Sequence, residues 1–179
     1  MIVWIDGPKG IGKSTISKKV NKKLDNESIL LESDYYWFKM IEENPFLALG
    51  GCYPQNNENF IRKFKEVIES ELNREKTENK IIIIDMALTD KKCKEELFDY
   101  FKKDNRILHI ILTAEKNVIK ERIEKDTNET RDKINSIAEI DSSLKFLEEN
   151  FKDTIKINTN NYKIDEISKT IVEHINHFE

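Results

Sequence analysis

The residues with the clearest chemical signature form one short stretch near the amino terminus. Residues 7–15 read Gly-Pro-Lys-Gly-Ile-Gly-Lys-Ser-Thr, which fits the pattern G-x-x-x-x-G-K-[ST]. Glycines at this spacing let several backbone N–H groups turn inward around phosphate groups. We expect Lys13 to reach the β- and γ-phosphates of a nucleotide and the Ser14 hydroxyl to ligate Mg²⁺. The predicted nucleotide-binding residues of this loop are Gly7, Pro8, Lys9, Gly10, Ile11, Gly12, Lys13, Ser14 and Thr15.

Two acidic residues follow a short apolar run at residues 28–32. Parallel strands deliver their last residues to the same edge of a sheet as the phosphate-binding loop, so a carboxylate there can accept the proton of an attacking hydroxyl. We predict this catalytic role for Asp34, with Glu32 helping to hold Mg²⁺ or the substrate. The alternative is that Asp34 only caps the helix that follows, because aspartate is a good N-cap.

A third acid, Asp85, ends a run of four isoleucines. An acid in this position lies beside Mg²⁺ in many nucleotide-binding proteins, either directly or through water. We therefore predict Asp85 as a metal ligand together with Ser14. The alternative is an ordinary turn residue at the end of a strand.

Arginine is scarce in this lysine-rich chain, and the five arginines are Arg62, Arg74, Arg106, Arg122 and Arg131. A segment that carries an arginine can close over the phosphates, neutralise transition-state charge and exclude water. We predict a short lid at about residues 126–133 and catalytic phosphate contacts for Arg122 and Arg131. The alternative is a solvated, charged helix end.

Aromatic side chains follow the predicted base. Consecutive residues of a helix cannot all face the core, so some of them are expected to line a pocket, with core packing as the alternative. We predict an acceptor-side region at about residues 34–58, with Tyr35, Trp37 and Tyr53 as substrate contacts. The turn at residues 50–54 either lines this acceptor site or only reverses the chain.

Short apolar runs alternate with amphipathic segments along the chain. The runs at residues 2–5, 28–32, 80–85, 106–112 and 154–157 indicate buried strands. The segments between them have apolar residues at helical spacing, including a set formed by Ile134, Ile137, Ile140, Leu144 and Leu147. This alternation predicts an α/β fold with a parallel sheet. The length of 179 residues predicts a single domain, 1–179.

Composition excludes several classes of function. The net charge of −4 gives no basic footprint for nucleic acid. The two cysteines, Cys52 and Cys93, match neither a disulfide framework nor a metal-ligand spacing. No apolar stretch is long enough to span a membrane, and the amino terminus does not resemble a signal peptide. We expect a cytoplasmic protein that is a monomer or a homodimer.

Several segments resemble the bacterial tunicamycin-resistance protein family: residues 2–7 leading into the loop, the His-Ile-Ile-Leu-Thr-Ala run at residues 109–114, Glu121-Arg122 on the next helix, and residues 155–160. Its wider relatives are shikimate, gluconate, chloramphenicol and nucleoside monophosphate kinases. The resemblance implies a P-loop NTPase three-layer sandwich, with a five-stranded parallel sheet in the order 2-3-1-4-5, helices on both faces and a lid after the fourth strand. It also implies an ATP site at residues 7–15, an acceptor-side acid at Asp34, a lid arginine at Arg122 or Arg131, and an adenine near Asn158 and Thr159.

The main hypothesis is therefore an ATP- and Mg²⁺-dependent phosphotransferase that acts on a hydroxyl group of a small molecule, such as a nucleoside-type antibiotic or a related metabolite. One alternative is an ATP-binding protein that sequesters such a drug without phosphorylating it. Another is a P-loop ATPase or binding module with a protein partner. The lid departs from the arginine-rich lids of nucleoside monophosphate kinases, which argues against a simple nucleotide kinase.

Overall fold

Five parallel strands form the centre of the molecule. The structure is a computed structural model that describes residues 1–48, 54, 57–78, 80–127, 132–160 and 163–178. The strands are β1 (Ile2–Asp6), β2 (Ser28–Glu32), β3 (Ile81–Asp85), β4 (Ile107–Thr113) and β5 (Ile155–Asn158). Their order in the sheet is β2-β3-β1-β4-β5, which confirms the predicted order 2-3-1-4-5.

Helices connect the strands and cover both faces of the sheet. They are α1 (Lys13–Leu24), α2 (Ser33–Glu43), α3 (Glu58–Glu78), α4 (Lys91–Cys93), α5 (Asp99–Lys102), α6 (Lys116–Lys125), α7 (Lys133–Ala138), α8 (Ile140–Asn150) and α9 (Ile164–Asn176). A π-helical segment, Lys94–Phe98, joins α4 to α5. Single 3₁₀ turns occur at Asp25–Glu27 and Pro45–Ala48.

The sheet separates two apolar cores because successive side chains of a strand point to opposite faces. Trp4, Ile82 and Ile84 pack against α2, α3, α5 and α8. The alternate residues Val3 and Ile83 pack against α1, α6 and α9. The isoleucine run in β3 is therefore buried on both faces, as a central parallel strand requires.

One member of a predicted amphipathic set lies outside the core. Ile134 is 83% exposed, although its spacing from Ile137 and Ile140 suggested one continuous amphipathic helix. The helical path breaks at Glu139, where α7 ends and α8 begins, and this break changes the direction of the apolar stripe. Spacing along the sequence assumes an uninterrupted helix, so it cannot register such a break.

Within the described ranges, no helix combines the length and the apolarity that a bilayer crossing demands.

Candidate active site

The predicted phosphate-binding loop lies between the carboxyl end of β1 and the first turn of α1. Its backbone has positive φ angles at Gly7, Gly10 and Gly12, with 144°, 79° and 100°. The amino end of α1 begins at Lys13, so free N–H groups of its first turn point toward the loop. The Lys13 ammonium donates to the backbone oxygens of Gly7 at 2.9 Å and Pro8 at 3.2 Å. The loop thus has the curvature and the cation that phosphate binding needs.

Two glycines of the loop make different demands on the space around them. A Cβ atom at Gly7 would lie 2.7 Å from the backbone oxygen of Leu112, whereas at Gly12 the nearest atom would be 4.0 Å away. Both positions have a φ that side chains rarely adopt, which costs about 1–3 kcal/mol. We therefore expect Gly7→Ala to lower the free energy of unfolding clearly more than Gly12→Ala does. Urea unfolding of both variants measures this difference, and equal losses would contradict the packing of β4 against the loop.

Ser14 and Asp85 meet beside the loop. Asp85 ends β3, which is paired in register with β1, and its carboxyl lies near enough to the Ser14 side chain for Ser14 to affect its pKa. Burial raises the pKa of the Asp85 carboxyl from the usual value of 3.8 to about 6, and the charges of Asp34 and Glu32 act in the same direction. The Lys13 ammonium and the Ser14 side chain partly offset this rise in pKa.

These two oxygen donors fit a magnesium ion. Mg²⁺ prefers oxygen ligands, keeps several waters, and is bound by one or two protein side chains together with substrate phosphates. A buried carboxylate whose ionised form is disfavoured gains from a bound cation. Among the described residues, no group of three or more His, Cys, Asp or Glu side chains is placed to hold a metal by itself.

The raised pKa of Asp85 predicts a pH-dependent stability. Because the pKa of about 6 in the folded protein exceeds the usual 3.8, protonation stabilises the fold, and this contribution is lost as pH rises between the two values. Above pH 6, the ionised Asp85 carboxyl lowers the free energy of unfolding by on the order of 3 kcal/mol. In the presence of a chelator, the stability advantage of Asp85→Asn over the wild type should grow from pH 4.5 to 6 and then level off.

Urea unfolding across this pH range measures the advantage of Asp85→Asn. The control is Asp104→Asn, which replaces an exposed acid just before β4 and should show no such trend. A stability difference between Asp85→Asn and the wild type that does not change with pH would contradict the burial of an ionisable Asp85.

Glu32 and Asp34 lie at the same edge of the sheet. Glu32 is paired in register with Asp85 on the neighbouring strand and forms a salt bridge to Lys18 at 2.9 Å. Asp34 is exposed in the first turn of α2, which begins at Ser33. The N-cap position belongs to Glu32, so the alternative in which Asp34 acts as the N-cap is wrong. Both acids act electrostatically on Asp85, so the sheet brings the three predicted carboxylates together.

The predicted aromatic substrate contacts separate into three groups. Trp37 is only 6% exposed and packs edge to face on Phe60, which favours the core-packing alternative over the predicted contact with substrate. Tyr35 is 60% exposed on α2 beside Asp34. Tyr53 lies outside the described residues, together with residues 50–52 of the turn at residues 50–54.

Arg122 lies in α6 and joins the phosphate-binding loop to the end of β5. Its guanidinium donates to the Thr159 hydroxyl at 2.9 Å, to the Thr159 backbone oxygen at 2.7 Å and to the Ile11 backbone oxygen at 3.4 Å. Thr159 is buried and Asn158, just before it, is exposed. The structure therefore brings Arg122, Thr159 and the loop together, and it fixes Arg122 on a helix rather than on a lid.

The predicted lid is described only at its two ends. Residues 126, 127, 132 and 133 are described, and Arg131 lies outside the described residues. Beyond this segment, Glu139 forms a 2.7 Å salt bridge to Lys9 of the phosphate-binding loop. Sequence reasoning missed this contact, because a salt bridge between residues 130 positions apart leaves no pattern in the sequence.

An open surface depression of about 500 Å³ lies between α3 and the segment that contains α4. It contains none of the predicted site residues, and most of its lining residues are charged: Glu58, Asn59, Ile61, Arg62, Lys65, Lys92 and Glu96. Glu58 and Lys92 are already paired with each other. We place the candidate active site at the phosphate-binding loop, beside Lys13, Ser14 and Asp85, and not in this depression.

This chain is similar to known proteins both in its sequence family and in its fold. The model of the AAA domain family matches residues 2–148. The tunicamycin resistance protein of Deinococcus radiodurans has a TM-score of 0.73 at 19% identity, covering 97% of this chain and 94% of that chain. A gluconokinase from Sinorhizobium meliloti 1021 gives 0.64 at 13%, covering 97% and 90%. A shikimate kinase from Bacteroides thetaiotaomicron gives 0.65 at 12%, covering 98% of each chain.

A search of curated protein sequences gave no significant match. At the identities found, the similar structures establish the P-loop NTPase fold, including its parallel sheet in the order 2-3-1-4-5. The substrates in the names of those proteins describe those proteins and are not assigned to this chain by the shared fold.

Proposed function

This chain belongs to the AAA domain family, and on that premise we propose that it is an ATP- and Mg²⁺-dependent phosphotransferase that transfers a γ-phosphoryl group to a hydroxyl of a small molecule. One observation carries the proposal. At the carboxyl edge of the sheet, the Lys13 ammonium, the Ser14 hydroxyl and the Asp34 carboxylate all lie near enough to Asp85 to affect its pKa. These are the groups that phosphoryl transfer requires.

The phosphate-binding loop performs the first part of this work. Its backbone N–H groups and the amino end of α1 hold the phosphates, and Lys13 stabilises the negative charge that develops on the γ-phosphoryl group. Ser14 and Asp85 would hold Mg²⁺, which supplies charge neutralisation at the phosphate oxygens. The 2.9 and 3.2 Å contacts of Lys13 with the loop keep its ammonium at the position where those phosphates bind.

Asp34 performs the second part. Its exposed carboxylate at the start of α2 accepts the proton of the acceptor hydroxyl as the oxygen attacks the γ-phosphorus, whose bond to the β–γ bridging oxygen breaks to release ADP. Glu32 is tied to Lys18, which keeps its carboxylate at the edge of the sheet to help position the acceptor. Tyr35, exposed next to Asp34, is the aromatic surface nearest to this base along the chain.

We assign the nucleotide base to the end of the site formed by Arg122, away from Asp34. Arg122, held by Thr159 and Ile11, forms a rigid wall next to Asn158. We assign the adenine to this wall, and ribose or phosphate oxygens to the N–H donors of the guanidinium that Thr159 and Ile11 do not engage. This role differs from that of a mobile catalytic arginine, because three hydrogen bonds to protein oxygens already fix the guanidinium. Arg131 remains the proposed arginine of the lid at about residues 126–133.

The similarity to a tunicamycin resistance protein supports a second candidate function, in which the protein sequesters a nucleoside-type drug in an ATP-dependent way without phosphorylating it. ADP formation distinguishes the candidates. For a phosphotransferase, a hydroxylated acceptor should raise the rate of ADP release well above the basal hydrolysis rate. For a sequestering protein, ADP release should not respond to the drug, while drug affinity should rise when ATP is present. Hydrolysis that no small acceptor changes would favour an ATPase with a protein partner.

A further inference from the structure

A buried acid–imidazole pair lies beneath the phosphate-binding loop, and the proposed reaction makes no direct use of it. Asp6, the last residue of β1, has no exposed surface, and His109 on β4 is 8% exposed. The Asp6 Oδ2 and the His109 Nε2 are 3.1 Å apart. Burying a carboxylate is costly unless hydrogen bonds satisfy it, so such a pair needs a physical reason.

The second oxygen of Asp6 connects two parts of the candidate site. Its Oδ1 accepts a hydrogen bond from the backbone N–H of Gly7 at 2.6 Å and another from the backbone N–H of Leu88 at 2.9 Å. Gly7 opens the phosphate-binding loop, and Leu88 follows soon after Asp85 on the segment that leaves β3. One carboxylate oxygen therefore links the loop to the segment that carries the predicted metal ligand.

The imidazole keeps this carboxylate in one orientation. The His109 ring packs between Phe98 and Phe151, with both ring centroids 4.6 Å away. Its Nδ1 lies 3.5 Å from the Thr154 hydroxyl. A ring enclosed in this way cannot turn freely, so the carboxylate that it contacts keeps its Oδ1 directed at the two backbone donors.

Other contacts hold the same segment less completely. The Trp4 indole donates to the Met86 backbone oxygen at 3.1 Å, and the Met86 N–H donates to the Ile5 backbone oxygen at 3.4 Å. Both contacts attach Met86 to β1, and neither involves the loop. Within the described residues, the hydrogen bonds of Asp6 reach both the loop and this segment.

We propose that Asp6 and His109 form a positioning pair that sets the spacing between the phosphate-binding loop and Asp85, and thereby the part of nucleotide affinity that depends on Mg²⁺. The inference rests on the nucleotide site of the proposed function. Mg²⁺ demands near-ideal octahedral geometry with ligands at about 2.0–2.1 Å, so a small shift of Asp85 relative to Ser14 weakens the site. Residues that orient metal ligands typically change metal affinity by about 10–100-fold when they are replaced.

Calorimetric titration of ADP with Mg²⁺ and with EDTA tests this inference. The quantity of interest is the ratio of the two affinities, which isolates the contribution of the metal. In Asp6→Ala this ratio should fall by about tenfold or more, while ADP affinity in EDTA changes much less. Asp6→Asn keeps an oxygen for the two backbone donors, and its amide can donate to the other tautomer of His109, so it should retain most of the ratio.

Two further variants separate positioning from loss of stability. Leu72→Ala opens a cavity in the same core at the far end of α3 and should lower the melting temperature without changing the Mg²⁺ ratio. If Asp6→Ala does not fold, His109→Gln provides the measurement, because it keeps a donor for Asp6 but removes the enclosed ring, and a smaller loss of the ratio is expected.

An unchanged ratio in Asp6→Ala, or in His109→Gln if Asp6→Ala is unfolded, would overturn the inference while leaving the proposed function intact. An equal loss of the ratio in Leu72→Ala would overturn it as well. If the wild type fails to bind ADP under either condition, the proposed function itself fails. These outcomes are distinguishable because the wild-type titration is read first.

Discussion

Replacing Asp34 with asparagine is expected to slow phosphoryl transfer by about 10²–10⁴-fold, the usual contribution of a general base. Asparagine has nearly the same size and can remain in the first turn of α2, but its amide cannot accept the proton of the acceptor hydroxyl. Asp34 is exposed and has no capping role, so the variant should fold with nearly wild-type stability. The rate of phosphorylated-product formation at saturating ATP measures this effect.

The affinity for ATP separates catalysis from general damage to the site. Asp34 is placed on the acceptor side, so Asp34→Asn should bind ATP almost as tightly as the wild type. The matched control is Glu42→Gln, which replaces an exposed acid near the other end of the same helix and should leave the rate unchanged. Equal activity of Asp34→Asn and the wild type would contradict the assignment of the base.

Replacing Lys13 with methionine is expected to lower kcat by about 10²–10³-fold, comparable to the loss of one group that stabilises transition-state charge. Methionine keeps a long unbranched side chain, but it removes the ammonium that lies beside the Gly7 and Pro8 oxygens. Since this ammonium also attracts the ground-state phosphates, the affinity for ATP should fall as well. The combined loss distinguishes Lys13→Met from Asp34→Asn.

Lys22→Met is the matched control for this prediction. It removes an exposed lysine from the last turns of the same helix, α1, and should alter neither the rate nor the affinity for ATP. The kinetic constants and the ATP affinity of both variants measure the contrast. A Lys13→Met variant with wild-type kcat would show that the loop does not deliver a cation to the transferred group.

Local patterns in the sequence predicted the elements that hold the site. The apolar runs placed all five strands to within one or two residues at each end, because buried parallel strands need continuous apolar side chains. The loop pattern placed Lys13 at the start of α1. The order of the strands came from a resemblance to known kinases, since no spacing along the chain encodes which strands become neighbours.

Contacts that depend on tertiary packing could not be predicted in this way. Trp37 belongs to the core because α3 places Phe60 against it, which the aromatic run alone does not reveal. The pair formed by Asp6 and His109 joins residues 103 positions apart. The sequence predicts a phosphate contact for Arg122 but not its hydrogen bond with Thr159, 37 positions further along the chain, which α6 and the end of β5 bring about. Each of these contacts joins two elements whose sequence patterns carry no information about each other.

The assignment as a small-molecule phosphotransferase can be tested by mass spectrometry of reactions that contain the protein, Mg²⁺ and ATP labelled with ¹⁸O in its γ-phosphoryl group. The acceptor panel would contain tunicamycin, nucleosides, nucleoside monophosphates, shikimate, gluconate, chloramphenicol and aminoglycosides. One acceptor is expected to gain a single labelled phosphoryl group in an amount that matches the ADP formed above basal hydrolysis, and Lys13→Met should form this product about 10²–10³-fold more slowly. ATP binding without any labelled acceptor, across the whole panel, would contradict the assignment as a small-molecule phosphotransferase.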